Sequence, residues 1–246
     1  MSKKVAAIIC AAGSSTRFGG KQKKQFAEVA SRAVFLRSIE FFDNNDSVKQ
    51  IILCINPEDE EMYNVRYVDK LSFYGVKTCF GGAERFETVA NALKLVKDDI
   101  ELIAVHDAVR CCLKDEWLEQ VFQKAEETDA AMLASPVTAT LKKVEDGKIA
   151  KTIDRKGLYE AQTPQVFDAE LLREAYVNLP NVDLTAITDD SQLVEALGKK
   201  VAIIESDASN IKITTKADLA IAEAIIKSRP KPKPEGPIGP YNEAQW

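Results

Sequence analysis

The sequence predicts an α/β fold: a mainly parallel sheet with helices on both faces and one protruding β-hairpin. Three observations carry this. Short, continuous apolar runs alternate with segments of helical periodicity, as expected for strands buried on both faces and joined by helices. Polar and glycine-containing segments follow the carboxyl ends of those runs, where ligands bind in such sheets. One segment, 137–152, abandons the alternation for two strand-like pieces around an Asp-Gly pair.

Strands are expected at 5–10, 50–55, 76–80, 102–105, 130–134 and 201–204, each a short apolar run. Between them, Val34, Phe35, Ile39 and Phe42 fit one helix face, and Phe86, Val89, Leu93 and Val96 fit another. Asp115 reads as an N-cap, with Trp117, Leu118, Val121, Phe122 and Ala125 on the inner face that follows. A last helix opens at Thr215 with Asp218 three residues on, a capping-box pattern, and turns Leu219, Ala222, Ile225 and Ile226 inward. The irregular segment holds strand-like pieces at 139–144 and 149–153 around Asp146-Gly147, a strong hairpin signal. It fits an interaction arm or an ordinary surface hairpin equally. Residues 1–228 form one domain including the arm, about 137–157; the proline-rich tail, 229–246, excludes regular helix and reads as a disordered extension or as a segment anchored by Tyr241 and Trp246.

The bulk numbers narrow the function. The chain has 246 residues, 46% of them hydrophobic, enough for a packed core, and a formal charge of −5 that argues against a general nucleic-acid or membrane-surface binder. Five cysteines and one histidine, with no Cys-x-x-Cys pair, support neither a disulfide framework nor a zinc centre. No stretch approaches the roughly 20 apolar residues of a membrane span, so the protein reads as cytoplasmic.

Chemistry concentrates after strand ends. Residues 11–20 form a turn rich in glycine and hydroxyls, with cations in it and after it: Arg17, Lys21, Lys23 and Lys24. Glycine lets backbone N–H groups approach phosphate oxygens, so this is a candidate polyphosphate cradle, although it lacks the spacing of a P-loop; a solvated basic loop is the plain alternative. Asp107 ends a buried strand and is the candidate magnesium ligand, since that ion takes one or two carboxylates plus substrate phosphates. His106 and the Cys111-Cys112 pair read as structural. Gln162-Thr163-Pro164-Gln165 reads as a polar turn, Thr188-Asp189-Asp190 as a helix cap or a site, and Lys212 as a strand cation that must face a polar cleft or solvent.

Taken in order, AAGSSTRFGG with KKQF, GGAERFETVANAL, VHDAVR, TATLKKV, TIDRKGLYEAQTPQVF, TDDSQLVEALG and NIKITTKADLAIAE resemble the 2-C-methyl-D-erythritol 4-phosphate cytidylyltransferases of non-mevalonate isoprenoid biosynthesis. The likeness runs from about residue 5 to 226. It implies a Rossmann-like nucleotidyltransferase sheet, a homodimer formed through the arm, CTP and a small polyol phosphate as substrates, and magnesium as the divalent cation. On the resemblance, Arg17 and Lys24 meet the CTP phosphates and Lys212 the transferred phosphate. Ala11, Ala12, Gly13, Ser14 and Ser15 form the nucleotide turn, Gly82 and Thr88 read cytosine and ribose, and Asp107 stands on the metal side. Asp107, Ala108, Arg110, Thr163, Thr188 and Lys212 fall on the substrate side, with Thr140 and Arg155 reaching the partner subunit's substrate.

The chain departs from the family pattern at Lys23, usually Pro; at Ala139, usually Asp; at Ala83, commonly polar; and at 108–111, commonly Ala-Ala-Arg-Pro. These departures bear on specificity. A ribitol-5-phosphate cytidylyltransferase and a non-catalytic nucleotide sensor are the competing readings.

Overall fold

The computed structural model describes residues 2–19 and 22–230. In chain order the strands are β1 Val5–Cys10, β2 Glu28–Val29, β3 Arg32–Ala33, β4 Val48–Ile55, β5 Lys77–Phe80, β6 Leu102–Asp107, β7 Ala130–Pro136, β8 Leu141–Glu145, β9 Lys148–Ile153, β10 Tyr159–Asp168 and β11 Ala202–Glu205. The helices are α1 Val34–Asp43, α2 Glu60–Arg66, α3 Val68–Phe73, α4 Arg85–Leu93, α5 Asp115–Thr128, α6 Ala169–Val177, α7 Ser191–Ala196 and α8 Lys216–Ser228.

Seven strands form the central sheet in the order β11-β7-β10-β6-β1-β4-β5. Every neighbouring pair is parallel except the two made by β10, which runs antiparallel to both β6 and β7. Successive side chains of β1 point to opposite faces. Val5, Ala7 and Ile9 therefore pack with α1 and α5, and Ala6 and Ile8 with α4 and α6. Both layers are buried, which explains why the strands read as continuous apolar runs. Register brings Cys10 level with Asp107 on one side and Cys54 on the other, so the ends of β1, β4 and β6 form one straight ledge. The loops that follow it build the site.

The expected strands and the helices at 34–43, 85–93, 115–128 and 216–228 are present, with small shifts of boundary. Val96 lies beyond α4 but still packs with Val89 and Leu93. Asp115 is the first helical residue of α5, not its cap, a position held by Lys114; a carboxylate in the first turn still suits the positive end of the helix. The capping box at Thr215 and Asp218 forms as expected. At Thr188-Asp189-Asp190 the cap reading holds through Asp189, whose Oδ1 accepts from the Gln192 amide at 3.2 Å. Residues 211–214 form no strand, so Lys212 projects from an irregular segment. Helices α2, α3 and α6 have no counterpart among the sequence-based expectations.

The largest correction concerns Gln162-Thr163-Pro164-Gln165. It is no surface turn but the middle of β10, where a register shift between Ala161 and Gln165 accommodates a cis Thr163-Pro164 bond. Gln162, Thr163 and Gln165 are buried. The hairpin reading is right: β8 and β9 pair antiparallel around Asp146 and Gly147, both with positive φ, as a two-residue type I′ turn requires. The hairpin stands away from the domain, exposing Val144 and Ile149. Tyr241 and Trp246 lie outside the described residues.

Phe35 of α1 is fully buried, edge-on to Tyr63 at 5.2 Å and Tyr67 at 4.9 Å between ring centres. Phe35→Ala is expected to lower the unfolding free energy by about 3–5 kcal/mol in urea titrations; a loss below about 1 kcal/mol would contradict this packing.

Candidate active site

The loop after β1 is held in shape by its own polar groups. Ser15 adopts positive φ, and its hydroxyl donates to Gln25 Oε1 at 3.0 Å and accepts from the Lys24 amide at 3.2 Å. Gln25, buried, reaches back to the Gly13 carbonyl at 3.4 Å. The Ser15 hydroxyl, within the turn expected to meet the nucleotide, is therefore committed to the loop. Ser14 and Arg17 are exposed on its rim. Lys23 turns away: its ammonium pairs with Asp59 at 2.9 Å and Glu58 at 3.6 Å. The expected cluster of cradle cations loses that member, and Lys21 and Gly20 lie outside the described residues.

A cavity opens above the ledge, walled by Ala11, Ala12, Gly13, Lys24, Gly82 and Thr88. Its far wall depends on two glycines. A Cβ on Gly81 would stand 2.3 Å from that of Ala12, and one on Gly82 would stand 2.4 Å from that of Glu87. Thr88 lies beneath, accepting from the Gly82 amide at 3.0 Å. Lys24 is half-buried and has no carboxylate partner among the described residues. Burial, reinforced by Lys212 nearby, lowers its pKa below the usual lysine value.

A second cavity adjoins the first, walled by Arg110, Gln162, Thr163, Gln165, Thr188 and Asp189. Three residues line both: Arg85, Asp107 and Lys212. Asp107 is the centre of this seam. Lys212 Nζ lies 2.7 Å from its Oδ2, Arg110 Nε 3.6 Å from Oδ2, and Arg85 Nε 3.6 Å from Oδ1. Burial opposes ionisation of this carboxyl, but Arg85, Lys212 and Arg110 outweigh it and hold it well below the usual carboxylate range. Arg110 is itself pinned, donating to the carbonyls of Asn210 at 2.7 Å and Ala161 at 3.3 Å.

Behind Asp107 sits His106, fully buried. Its Nε2 lies 3.2 Å from the Arg110 carbonyl, which can only accept, so Nε2 carries the proton. Nδ1 then accepts from the Thr163 hydroxyl at 3.1 Å, and that hydroxyl accepts from the Asp107 amide at 3.0 Å. Burial draws the imidazole down to about 4, so it is neutral. His106 and Thr163 are thus supports for Asp107. The structural reading of His106 holds, whereas Thr163, expected as a substrate contact, has its hydroxyl committed inward.

One further expectation changes. Ala108 is fully buried, donates to the Cys10 carbonyl at 3.1 Å, and lines neither cavity. Thr140 and Arg155 lie on the exposed arm, outside both cavities of their own protomer. Arg85 is not among the residues singled out in the sequence, and the bond from Asn210 to Gln162, at 2.7 Å, is not among its expectations. A charged Arg beginning a helix after Gly81-Gly82 was the available signal for the first.

Among the described residues no three His, Cys, Asp or Glu side chains converge as a metal cage. Asp107 is the carboxylate at the seam. This donor set fits a hard cation that takes most of its oxygens from a phosphate ligand and water, and does not fit an all-protein site.

The neutral His106 makes stability depend on pH. Its value falls from 6.5 to about 4 on folding, so between these limits the unfolded chain holds a proton that the native state lacks. Stability is full above 6.5 and declines as pH drops toward about 4, by about 3 kcal/mol in total. Denaturant titrations across this range should show the slope, and His106→Gln should flatten it; an equal slope in both proteins would contradict the assignment.

The comparisons agree with this geometry. Residues 5–228 match the family model of 2-C-methyl-D-erythritol 4-phosphate cytidylyltransferase. The chain is 44% identical to the protein of that name from Endomicrobium trichonymphae, over 92% of this chain and 100% of the relative. It is 40% identical to that from Bacillus licheniformis, over 90% and 95%. Among solved structures it is similar to 4-diphosphocytidyl-2C-methyl-D-erythritol synthase from Anaerococcus prevotii, with TM-score 0.78, 29% identity and coverage of 92% and 96%. The cytidylyltransferase structure from Thermus thermophilus gives TM-score 0.75, 29% identity and coverage of 92% and 100%. With the family model spanning nearly the whole domain and its motif residues gathered around one charged seam, the chain belongs to the 2-C-methyl-D-erythritol 4-phosphate cytidylyltransferase family.

Proposed function

We propose that the two adjoining cavities hold the two substrates of one transfer: CTP against the 11–13 turn and Gly82, and 2-C-methyl-D-erythritol 4-phosphate between Arg110 and Thr188. The products are 4-diphosphocytidyl-2-C-methyl-D-erythritol and pyrophosphate. The observation that carries this is the seam, where Arg85, Asp107 and Lys212 line both cavities at once. A bond between two ligands can form only where their sites meet.

The acceptor's phosphate oxygen attacks the α-phosphorus of CTP, a new P–O bond forms, and the bond to pyrophosphate breaks. A phosphate monoester has a second pKa of about 6, so the nucleophile is already ionised near neutral pH and no base is needed. The neutral, enclosed His106 agrees with that requirement. The obstacle is repulsion between two polyanions. Lys24, half-buried without a carboxylate, gains most from an arriving triphosphate, and Lys212 stands where the transferred phosphate must pass. Arg17 on the rim completes the phosphate contacts when the loop meets nucleotide. Asp107, ionised throughout the physiological range, would hold magnesium against the triphosphate. That ion would neutralise phosphate charge and favour the leaving pyrophosphate.

The arm extends this reading to a homodimer. Thr140 and Arg155 lie too far out to serve their own cavities and would reach the acceptor cavity of a second copy. Its apolar residues Val144 and Ile149, exposed in one protomer, are then covered. The reaction belongs in the cytoplasm, the compartment of its nucleotide substrate; no described helix is long and apolar enough to cross a membrane.

Pyrophosphate release with CTP and magnesium should be strong with 2-C-methyl-D-erythritol 4-phosphate and weak with D-ribitol 5-phosphate. The reverse preference would move the protein to the sister activity, and silence with both would favour a nucleotide sensor. Lys24→Ala and Lys212→Ala should each lower turnover by at least about 100-fold, on the order of 3 kcal/mol, with circular dichroism unchanged. Gly81→Ala should raise the CTP KM about tenfold or more, since its Cβ would displace Ala12. Light scattering should report a dimer; a monomer would remove Thr140 and Arg155 from the site.

A further inference from the structure

Arg85 has no assigned role in the reaction described above, yet it occupies an unusual position. It is the first residue of α4, directly after the glycine wall of the nucleotide cavity, and its side chain crosses the seam. Its two charge contacts lead to different elements. Nε faces Asp107 at the end of β6 at 3.6 Å, and Nη1 donates to Asp190 Oδ2, before α7, at 2.5 Å. Nη2 is enclosed and makes no hydrogen bond among the described residues, so the two carboxylates set the placement of the guanidinium.

Asp190 is a fixed point. It is 1% exposed, and its other oxygen accepts from the Tyr176 hydroxyl at 2.6 Å. The backbone amides of Asp190 and Ser191 both donate to Gln165 Oε1, at 3.0 and 3.1 Å, and Gln165 Nε2 donates to Asp189 at 2.9 Å. This framework carries the 188–190 segment, which presents Thr188 and Asp189 to the second cavity. Arg85 is its charged link to Asp107. A buried ion pair seldom adds net stability over apolar packing, so stability alone is a poor reason to place one here.

We infer that Arg85 is a positioning residue that ties the acceptor-side segment 188–190 to the Asp107 carboxylate, setting the acceptor phosphate in register with the nucleotide. The inference rests on the assignment of the second cavity to the acceptor. A fork is required, because the two contacts use separate nitrogens about a guanidinium apart; a lysine ammonium keeps the charge but reaches only one carboxylate.

The test is steady-state kinetics on the full-length protein. Arg85→Lys should raise the acceptor KM about tenfold or more while the CTP KM moves less than about threefold. Asp190→Ala removes the acceptor at the other end without altering the nucleotide cavity, and should give the same split. The double variant should lose less than the product of the single losses, since both changes break one link. A Michaelis constant for acceptor left unchanged in both folded single variants, or multiplicative losses in the double variant, overturns the inference. Thr188→Ala tests the cavity assignment separately. If it raises the acceptor KM and the other two variants do not, the cavity stands and the link falls; if none responds, both fall.

Discussion

A buried carboxylate surrounded by more positive charge than it can neutralise governs this protein. Asp107 faces three cations, Arg85, Arg110 and Lys212, while Asp190 holds the far side of Arg85, and Glu84 and Asp189 lie on the walls of the two cavities. Lys24 adds a fourth cation across the first cavity. The gathering of cations on Asp107 is local, inside a chain whose overall formal charge is −5. It is held in place before any ligand arrives, so anions meet donors that need little reorganisation. Desolvating such a cluster costs stability, and the apolar layers on the two sheet faces offset that cost.

The fold serves this centre through β10. A uniformly parallel sheet would leave the ledge beside β6 to another strand end; the antiparallel strand instead runs past it, laying Gln162, Thr163 and Gln165 along the floor of the second cavity. Each is satisfied internally. Gln162 binds Asn210 and Ser206, Thr163 binds His106 and Asp107, and Gln165 binds the start of α7. These bonds fix Asp107 from behind, the 210–212 segment that carries Lys212, and the 188–190 segment. One irregular strand thereby orients three sides of the site.

Much of this was legible in the sequence because local chemistry and global fold agree. Apolar runs became parallel strands, Asp146-Gly147 became a type I′ turn, and Lys24, Gly82, Thr88, Asp107, Arg110, Thr188 and Lys212 all reached the two cavities. What was misread involves polar groups whose partners are distant in sequence. Gln162 and Thr163 resemble turn residues because nothing nearby reveals that residues 106 and 210 will satisfy them. Lys23 counts as a cradle cation until Asp59, 36 positions away, claims it. Ser15 looks free until Gln25 takes its hydroxyl. Arg85 hides inside an amphipathic pattern because periodicity reports the apolar face of α4 and is silent about a first-turn arginine.

The central claim is that the site works by gathering charge and moves no proton. The most direct measurement is the pH dependence of the single-turnover rate at saturating nucleotide, acceptor and magnesium. The account predicts a rise governed by the second ionisation of the bound acceptor phosphate, below its free value of about 6, and, on the plateau above it, a rate close to the same with and without deuterated solvent. A rise that tracks an enzyme group, accompanied by a solvent isotope effect of about two or more, would show a proton in flight and contradict it.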